Sequence, residues 1–182
     1  MLSWLKRPAP HQKAAEALYA AIVDQARQPP FYSALGAPDT YEGRFEVIAL
    51  HMALALDRLS QQGQAGLDTG RALNEVFVGD MDDNMREIGV GDLTVPRKVK
   101  KAAAAVYDRA RSLRAALAEP NDKALEAIIA VNVHVQGSTT TQSQADDGDL
   151  SAFAAYVRRA AASLAGQDLA TGQVTFPAPV AA

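Results

Sequence analysis

The sequence contains no cysteine. That excludes disulfides, thiolate zinc sites, iron–sulfur ligation and a cysteine nucleophile, and it fits a reducing compartment. Histidine is nearly as scarce. His11, His51 and His134 are the only three, they lie far apart in sequence, and no H-E-x-x-H pair is present. Aromatic residues make up 6% of the chain and do not interleave with its basic stretches, which argues against stacking on single-stranded nucleic acid. Positive charge is not in excess: 18 Lys and Arg face 21 Asp and Glu, giving a net charge of −3. Bulk charge therefore offers no attraction to nucleic acid, and DNA is not an expected partner. The most apolar run, VIALHMALAL (47–56), is too short to span a bilayer and carries His51. The start, MLSWLKRPAP, lacks an apolar stretch of signal-peptide length. The expectation is a cytoplasmic protein. Trp4 beside Lys6 and Arg7 suits a membrane surface, but a frayed terminus is the simpler reading.

What is present is helical periodicity. At 182 residues and 48% apolar content the chain suits one globular domain with a sizeable core. The spacing predicts helices over about 11–27, 41–62, 69–88, 96–117, 122–136 and 150–165. Pro29 and Pro30 stop the first, and Thr40 caps the second. The second, built on FEVIALHMALALDRL, is apolar on nearly every face, as a central buried helix must be. The glycines of 63–66 read as its end, and Gly89 as the cap of the third. GSTTTQSQADDGD (137–149) reads as a polar loop. No alternation long enough for a sheet occurs. The predicted fold is all-α: a single domain of about six helices around a buried central helix. Its parts are an N-terminal segment (1–10), the helical domain (11–166) and an extended tail (167–182).

Chemistry concentrates in DMDDNMREIGVGDLTVPRKVKK (80–101), where acids precede a glycine turn and bases follow it. Asp80, Asp82 and Asn84 match the opening of a calcium loop, but Met85 stands at its glycine position and Gly91 at its glutamate position, so no metal is expected. Asp80, Asp83 and Glu87 share one helical face, which is most simply a solvated one. GVG at 89–91 has no preceding strand, and SWLK at 3–6 has no supporting motif, so neither supports a nucleotide site or a nucleophile. No cofactor and no catalytic residue is expected. Arg97, Lys98, Lys100 and Lys101 crowd a helix start, where cations oppose the macrodipole. Compensation by Asp83, Glu87 and Asp92 is one explanation; an electrostatic patch for a partner is the other. Arg109, Arg111 and Arg114 extend the positive charge along the same helix. His51, on an apolar helix, reads as a neutral core histidine bonded to a neighbour.

Three stretches together carry a resemblance. FYSALGAPDTYEGRFEVIALHMALALDRL (31–59), FVGDMDDNMREIGVGDLTVPRKVKK (77–101) and AAAVYDRARSLRAAL (103–117) resemble the ubiquinol–cytochrome c chaperone family. Without a mitochondrial presequence ahead of them, the chain is expected to belong to the bacterial branch. The resemblance implies a non-enzymatic assembly factor of the cytochrome bc1 complex that binds newly made cytochrome b. It also implies contact with the ribosome and a small partner protein, and peripheral contact with the cytoplasmic face of the inner membrane. Family-like positions are Asp39, Thr40, Arg44, Phe45, His51, Arg58, Asp80, Met81, Asp82, Arg86, Gly89, Val90, Gly91 and Lys101. The partner-binding candidates are Asp80, Asp82, Asp83, Arg86, Arg97, Lys98, Lys100 and Lys101. Arg86 is expected to pair with Asp82 or Asp83, and an apolar surface near Phe31, Tyr32 and the second helix is expected to receive a membrane-protein segment. The alternative is a helical carrier of a quinone or lipid. An apolar pocket beside His51 would favour the carrier; a solid core there with exposed apolar grooves would favour the chaperone.

Overall fold

The computed structural model describes residues 9–87, 94–135 and 147–179. Helix α1 (Pro10–Ala26) opens on a proline, whose missing N–H is harmless in a first turn, and buries Ala14, Ala15, Leu18, Ile22 and Ala26 on one stripe. Pro29 and Pro30 prevent its continuation, and the chain makes a single helical turn, α2 (Pro30–Ser33). Helix α3 (Tyr41–Leu59) starts where Thr40 Oγ1 accepts the Gly43 amide at 3.0 Å. Gly43 is obligatory there, because a Cβ would lie 2.0 Å from the Pro38 carbonyl oxygen. Residues 49–56 are buried without interruption. That is the central helix expected from its apolar surround, and the architecture is all-α.

Helix α4 (Gly63–Glu87) begins six residues before the predicted Thr69. The chain breaks between Leu59 and Gly63, where Gly63 takes a left-handed φ of 62°, but the next helix begins at once. A Cβ on Gly66 would come 2.2 Å from the Leu59 carbonyl oxygen, so only glycine lets α4 start against the end of α3. Helix α5 (Val95–Leu117) has Pro96 in its first turn and packs along α3 and α4 through Val99, Val106, Ala110 and Leu113. The helix predicted over 122–136 divides: α6 (Lys123–Ile129) is followed by a π-helical segment, Ala130–Val135. A widened turn of this kind re-aims side chains and often accompanies function. Helix α7 (Asp147–Ala165) completes the bundle. Leu169 then buries in a short 3₁₀ turn (Leu169–Thr171). The Gly89 cap, the GVGDL loop, Asp92, most of the polar loop and residues 1–8 lie outside the described residues.

The core holds one closed polar chain. His51 is 0% exposed. Its Nδ1 lies 2.7 Å from the Val47 carbonyl oxygen, which accepts only, so Nδ1 carries the proton. Nε2 then accepts from Tyr156 Oη at 2.6 Å, and Tyr156 Oη accepts from Gln25 Nε2 at 3.0 Å. Gln25 also donates to the Pro177 carbonyl at 2.9 Å. Four segments, α1, α3, α7 and the tail, are thus joined through His51 and Tyr156, which are fully buried, and Gln25, which is half-buried. Burial lowers the His51 pKa from 6.5 to about 4, so the ring is neutral. Phe31, expected at an exposed apolar surface, is instead 0% exposed and packs edge-on against His51 and Tyr156, with centroids 5.3 and 4.9 Å away. The proline-bounded turn of α2 drives it inward. The hollows along α1, α3, α4 and α5 described below are not lined by His51.

Candidate functional site

An open apolar surface lies along the seam of α3, the second predicted helix, and α5, away from Phe31. Tyr41, Phe45 and Ala49 recur at four-residue spacing on one face of α3. Lys98, Lys101, Ala102, Ala105, Arg109 and Ser112 form one face of α5. Met81 and Met85 from the end of α4 close one side, and Ile128 and Asn132 from α6 and the π segment close the other. Together they bound a groove of about 460 Å³. From Lys98 to Ser112 the helical rise gives it a length of about 21 Å. Alanines at 102 and 105 make the trough: larger side chains there would fill it. The two methionines give it walls that adapt to an irregular occupant.

Beneath the groove sits a buried ion pair. Arg109 and Glu46 have side chains only 6% and 8% exposed, and Arg109 Nη2 approaches Glu46 Oε2 to 2.6 Å. Arg109 Nη2 also donates to Asn132 Oδ1 at 3.0 Å, so the π turn that places Asn132 is tied to this pair. The satisfaction is incomplete. Although Oε2 is close to the guanidinium, it is misaligned for a hydrogen bond, and Arg109 Nε has no acceptor. Burial pushes the Glu46 pKa above the ordinary carboxylate range, with Arg109 pulling against it. The basic-helix reading of α5 therefore needs correction. Arg109 is internal, Arg111 pairs with Asp108, and Arg114 bonds Asp57 and Ser60 on α3. These three serve the fold, because each has an acidic partner within reach.

The four cations at the start of α5 differ. Arg97, Lys98, Lys100 and Lys101 are exposed, and none has a side-chain hydrogen bond or ion pair among the described residues. Among the described residues neither Asp83 nor Glu87 forms a direct ion pair with any of them. Lys98 and Lys101, one turn apart, form the rim of the groove. Across it stands Glu42, in the first turn of α3.

The acidic candidates are dispersed. Asp82 pairs with Arg86 one turn on, at 2.6 Å, a half-exposed pair of small energetic weight. Asp83 is exposed. Asp80 accepts from Tyr19 Oη at 2.7 Å, and that bond joins burial in raising the tyrosine's pKa. Asp80 and Tyr19 line a second hollow of about 510 Å³ between α1, α3 and α4, with Tyr32, Arg44 and Asn84. Tyr41, Phe45 and Met81 border both hollows, which therefore adjoin. Asp39 and Arg44 form an exposed pair at 2.6 Å, with the guanidinium 5.1 Å from the Tyr32 ring. Arg58 donates twice to the Gln167 carbonyl and fastens the tail to α3. Among the described residues no group of three His, Asp or Glu converges as a metal site. No described helix is long and apolar enough to cross a membrane.

Phe45 was legible as family-like, but Glu46, Met85 and Arg109 were not singled out as site residues. One signal was available for two of them. Glu46 falls inside an apolar run, and Arg109 falls on the same α5 stripe as Val106 and Leu113, so each needed a buried partner.

Comparison with known proteins now decides the family. The sequence model described as ubiquinol-cytochrome C chaperone matches residues 33–176. The chain belongs to this family. Its general role is assembly of the cytochrome bc1 complex. The chaperone's fold is similar to that in the crystal structure of the Cbp3 homolog from Brucella abortus, with a TM-score of 0.79 and 29% identity over 93% of this chain and 92% of that one. No curated protein matches the chain in sequence.

Proposed function

We propose that the chain is a non-catalytic assembly chaperone that binds newly made cytochrome b and holds it for incorporation into the bc1 complex. The observation that carries this reading is the contrast between the middle of α3 and its N-terminal part. His51 is fully buried, its ring packed against those of Phe31, Tyr156 and Phe176, with Phe153 against Phe31 and Tyr156. Near Phe45 an apolar groove stands open to solvent, as expected of a surface that takes up an apolar segment of another chain. Family membership supports the complex being served, and the cations at the start of α5, without ion pairs among the described residues, suit contact with phosphate groups of an anionic lipid surface or ribosomal RNA near the client's point of insertion.

Cells lacking this chain are expected to lose at least tenfold of their bc1-bound cytochrome b, read by reduced-minus-oxidised spectra. Other membrane complexes should persist, and the wild-type chain should restore the signal. Normal cytochrome b in such cells, with a deficit of quinone or lipid transfer instead, would overturn the reading in favour of a carrier.

A further inference from the structure

We infer that the α3–α5 groove seats one amphipathic helical segment of the client, an acidic residue on one flank against Lys98 and Lys101 and a basic residue on the other against Glu42. This inference rests on the client-binding reading above and specifies its occupant. Shape is the first argument. The groove is a trough bounded by two helix faces and about four turns long, the form that receives the apolar face of a helix with anchors at i, i+3 or i+4, and i+7. Charge is the second. The rim is bipolar near the start of α5: two ammonium groups with no ion pair among the described residues stand on the α5 side and the exposed Glu42 carboxylate on the α3 side, while Asp108, farther along α5, is paired with Arg111. A neutral quinone answers neither rim, and a fatty carboxylate answers one and meets repulsion from the other. A peptide helix carrying an acid and a base on opposite flanks answers both.

Strain beneath the floor is the third argument. Three buried side-chain atoms among the described residues lack a hydrogen-bond partner, and two of them, Glu46 Oε2 and Arg109 Nε, belong to the pair under this groove. Unsatisfied buried groups concentrate where a fold gives up stability for binding. The four cations crowding the start of α5 violate the macrodipole rule at the same place.

The test uses the full chain in cells, with a photoreactive benzoylphenylalanine in place of exposed Tyr41, an aromatic side chain already on the groove wall, and, as a control, at exposed Glu75 on α4. Crosslinked products are identified by mass spectrometry. The expected result is a crosslink from position 41, and not from 75, to a single amphipathic segment of a bc1 subunit. In a companion variant, Lys98→Glu with Lys101→Glu, that crosslink should fall at least tenfold while the melting midpoint stays unchanged or rises, since both residues lack partners and oppose the helix dipole. A client captured by the wild-type chain yet crosslinked equally from both positions, or undiminished by the charge reversal, would overturn the groove assignment and leave the chaperone reading standing. Crosslinks to lipid alone would overturn the peptide occupant. Capture of no bc1 subunit at all would refute the chaperone reading and this occupant with it.

Discussion

Replacing Arg109 by alanine is expected to destabilise the fold by about 3–5 kcal/mol, more than any exposed charge removal in the chain. The reason is asymmetric. Arg109 and Glu46 are both buried, and their mutual attraction offsets a large desolvation cost. Without the guanidinium, Glu46 keeps the cost and loses the offset. It must then take up a proton, and its carboxyl, already pushed above the ordinary range, moves further upward. Asn132 loses a donor at the same time, so the π segment that carries it should loosen. Removing both charges is a different experiment. Glu46→Leu with Arg109→Met replaces the pair by apolar side chains of similar size and should cost about 1 kcal/mol or less, or stabilise the fold. Denaturant titration of the two single variants and the double variant measures the coupling directly. A double variant as unstable as the sum of the singles would show that the pair is not a unit. If the incomplete satisfaction under the groove serves binding, the double variant should also bind its client less well while folding at least as firmly.

Acid is expected to weaken the fold through His51 before any carboxylate pair is lost. The ring has its pKa lowered from 6.5 to about 4 by burial. The sign follows from proton counting. Below 6.5 the unfolded chain binds a proton on His51 that the folded chain refuses, so stability falls as pH drops from about 6.5 towards about 4. At about 1.4 kcal/mol per pH unit, the loss over that window is about 3 kcal/mol. Glu46 works in the opposite sense. Its raised folded pKa favours the folded state in acid, and that contribution is lost as pH rises above the ordinary carboxylate value of 4.5, which flattens the acid end of the profile. A His51→Gln variant isolates the histidine. It should be less stable than wild type at pH 7, because the bonds to Val47 and Tyr156 are disturbed, yet its stability should vary much less between pH 6.5 and 5. Parallel pH profiles for wild type and variant, by thermal melting, would show that His51 does not titrate as the buried neutral ring described above.

Much of this architecture was legible in the chain, and the reasons are local. Thr40 three residues before Gly43, with a polar side chain ahead of a long apolar run, fixed the start of α3. The uninterrupted apolar character of that run required a helix buried on all sides. The start of α4 was misread because glycine in QQGQAG weakens helices by propensity. Here it was needed for a close crossing, which depends on where Leu59 lies and not on the neighbours in sequence. The split of 122–136 into α and π segments was hidden because it follows from the Asn132 bonds to Arg109 and to the Ile128 carbonyl, both tertiary or conformational in origin. The site was legible in part. The cations of α5 broke a helix rule and so were visible, and their exposure is what the rule-breaking suggested. The acids were a poorer guide, since Asp80 and Asp82 are taken up by Tyr19 and Arg86. The apolar surface was sought near Phe31, Tyr32 and the second predicted helix, which is α3 and does line the groove. Tyr32 does border a hollow, but Phe31 belongs to the His51 cluster, and an isolated aromatic in sequence does not reveal which way its turn faces.

The central claim is that this chaperone takes cytochrome b as its client, and affinity capture tests it most directly. The tagged chain is recovered from its native cells in mild detergent after a short pulse of labelled amino acids. The predicted result is newly labelled cytochrome b enriched over every other labelled membrane protein, and lost when Lys98 and Lys101 are both reversed to glutamate. Recovery of no bc1 subunit, with a quinone or lipid present in stoichiometric amount, would contradict it.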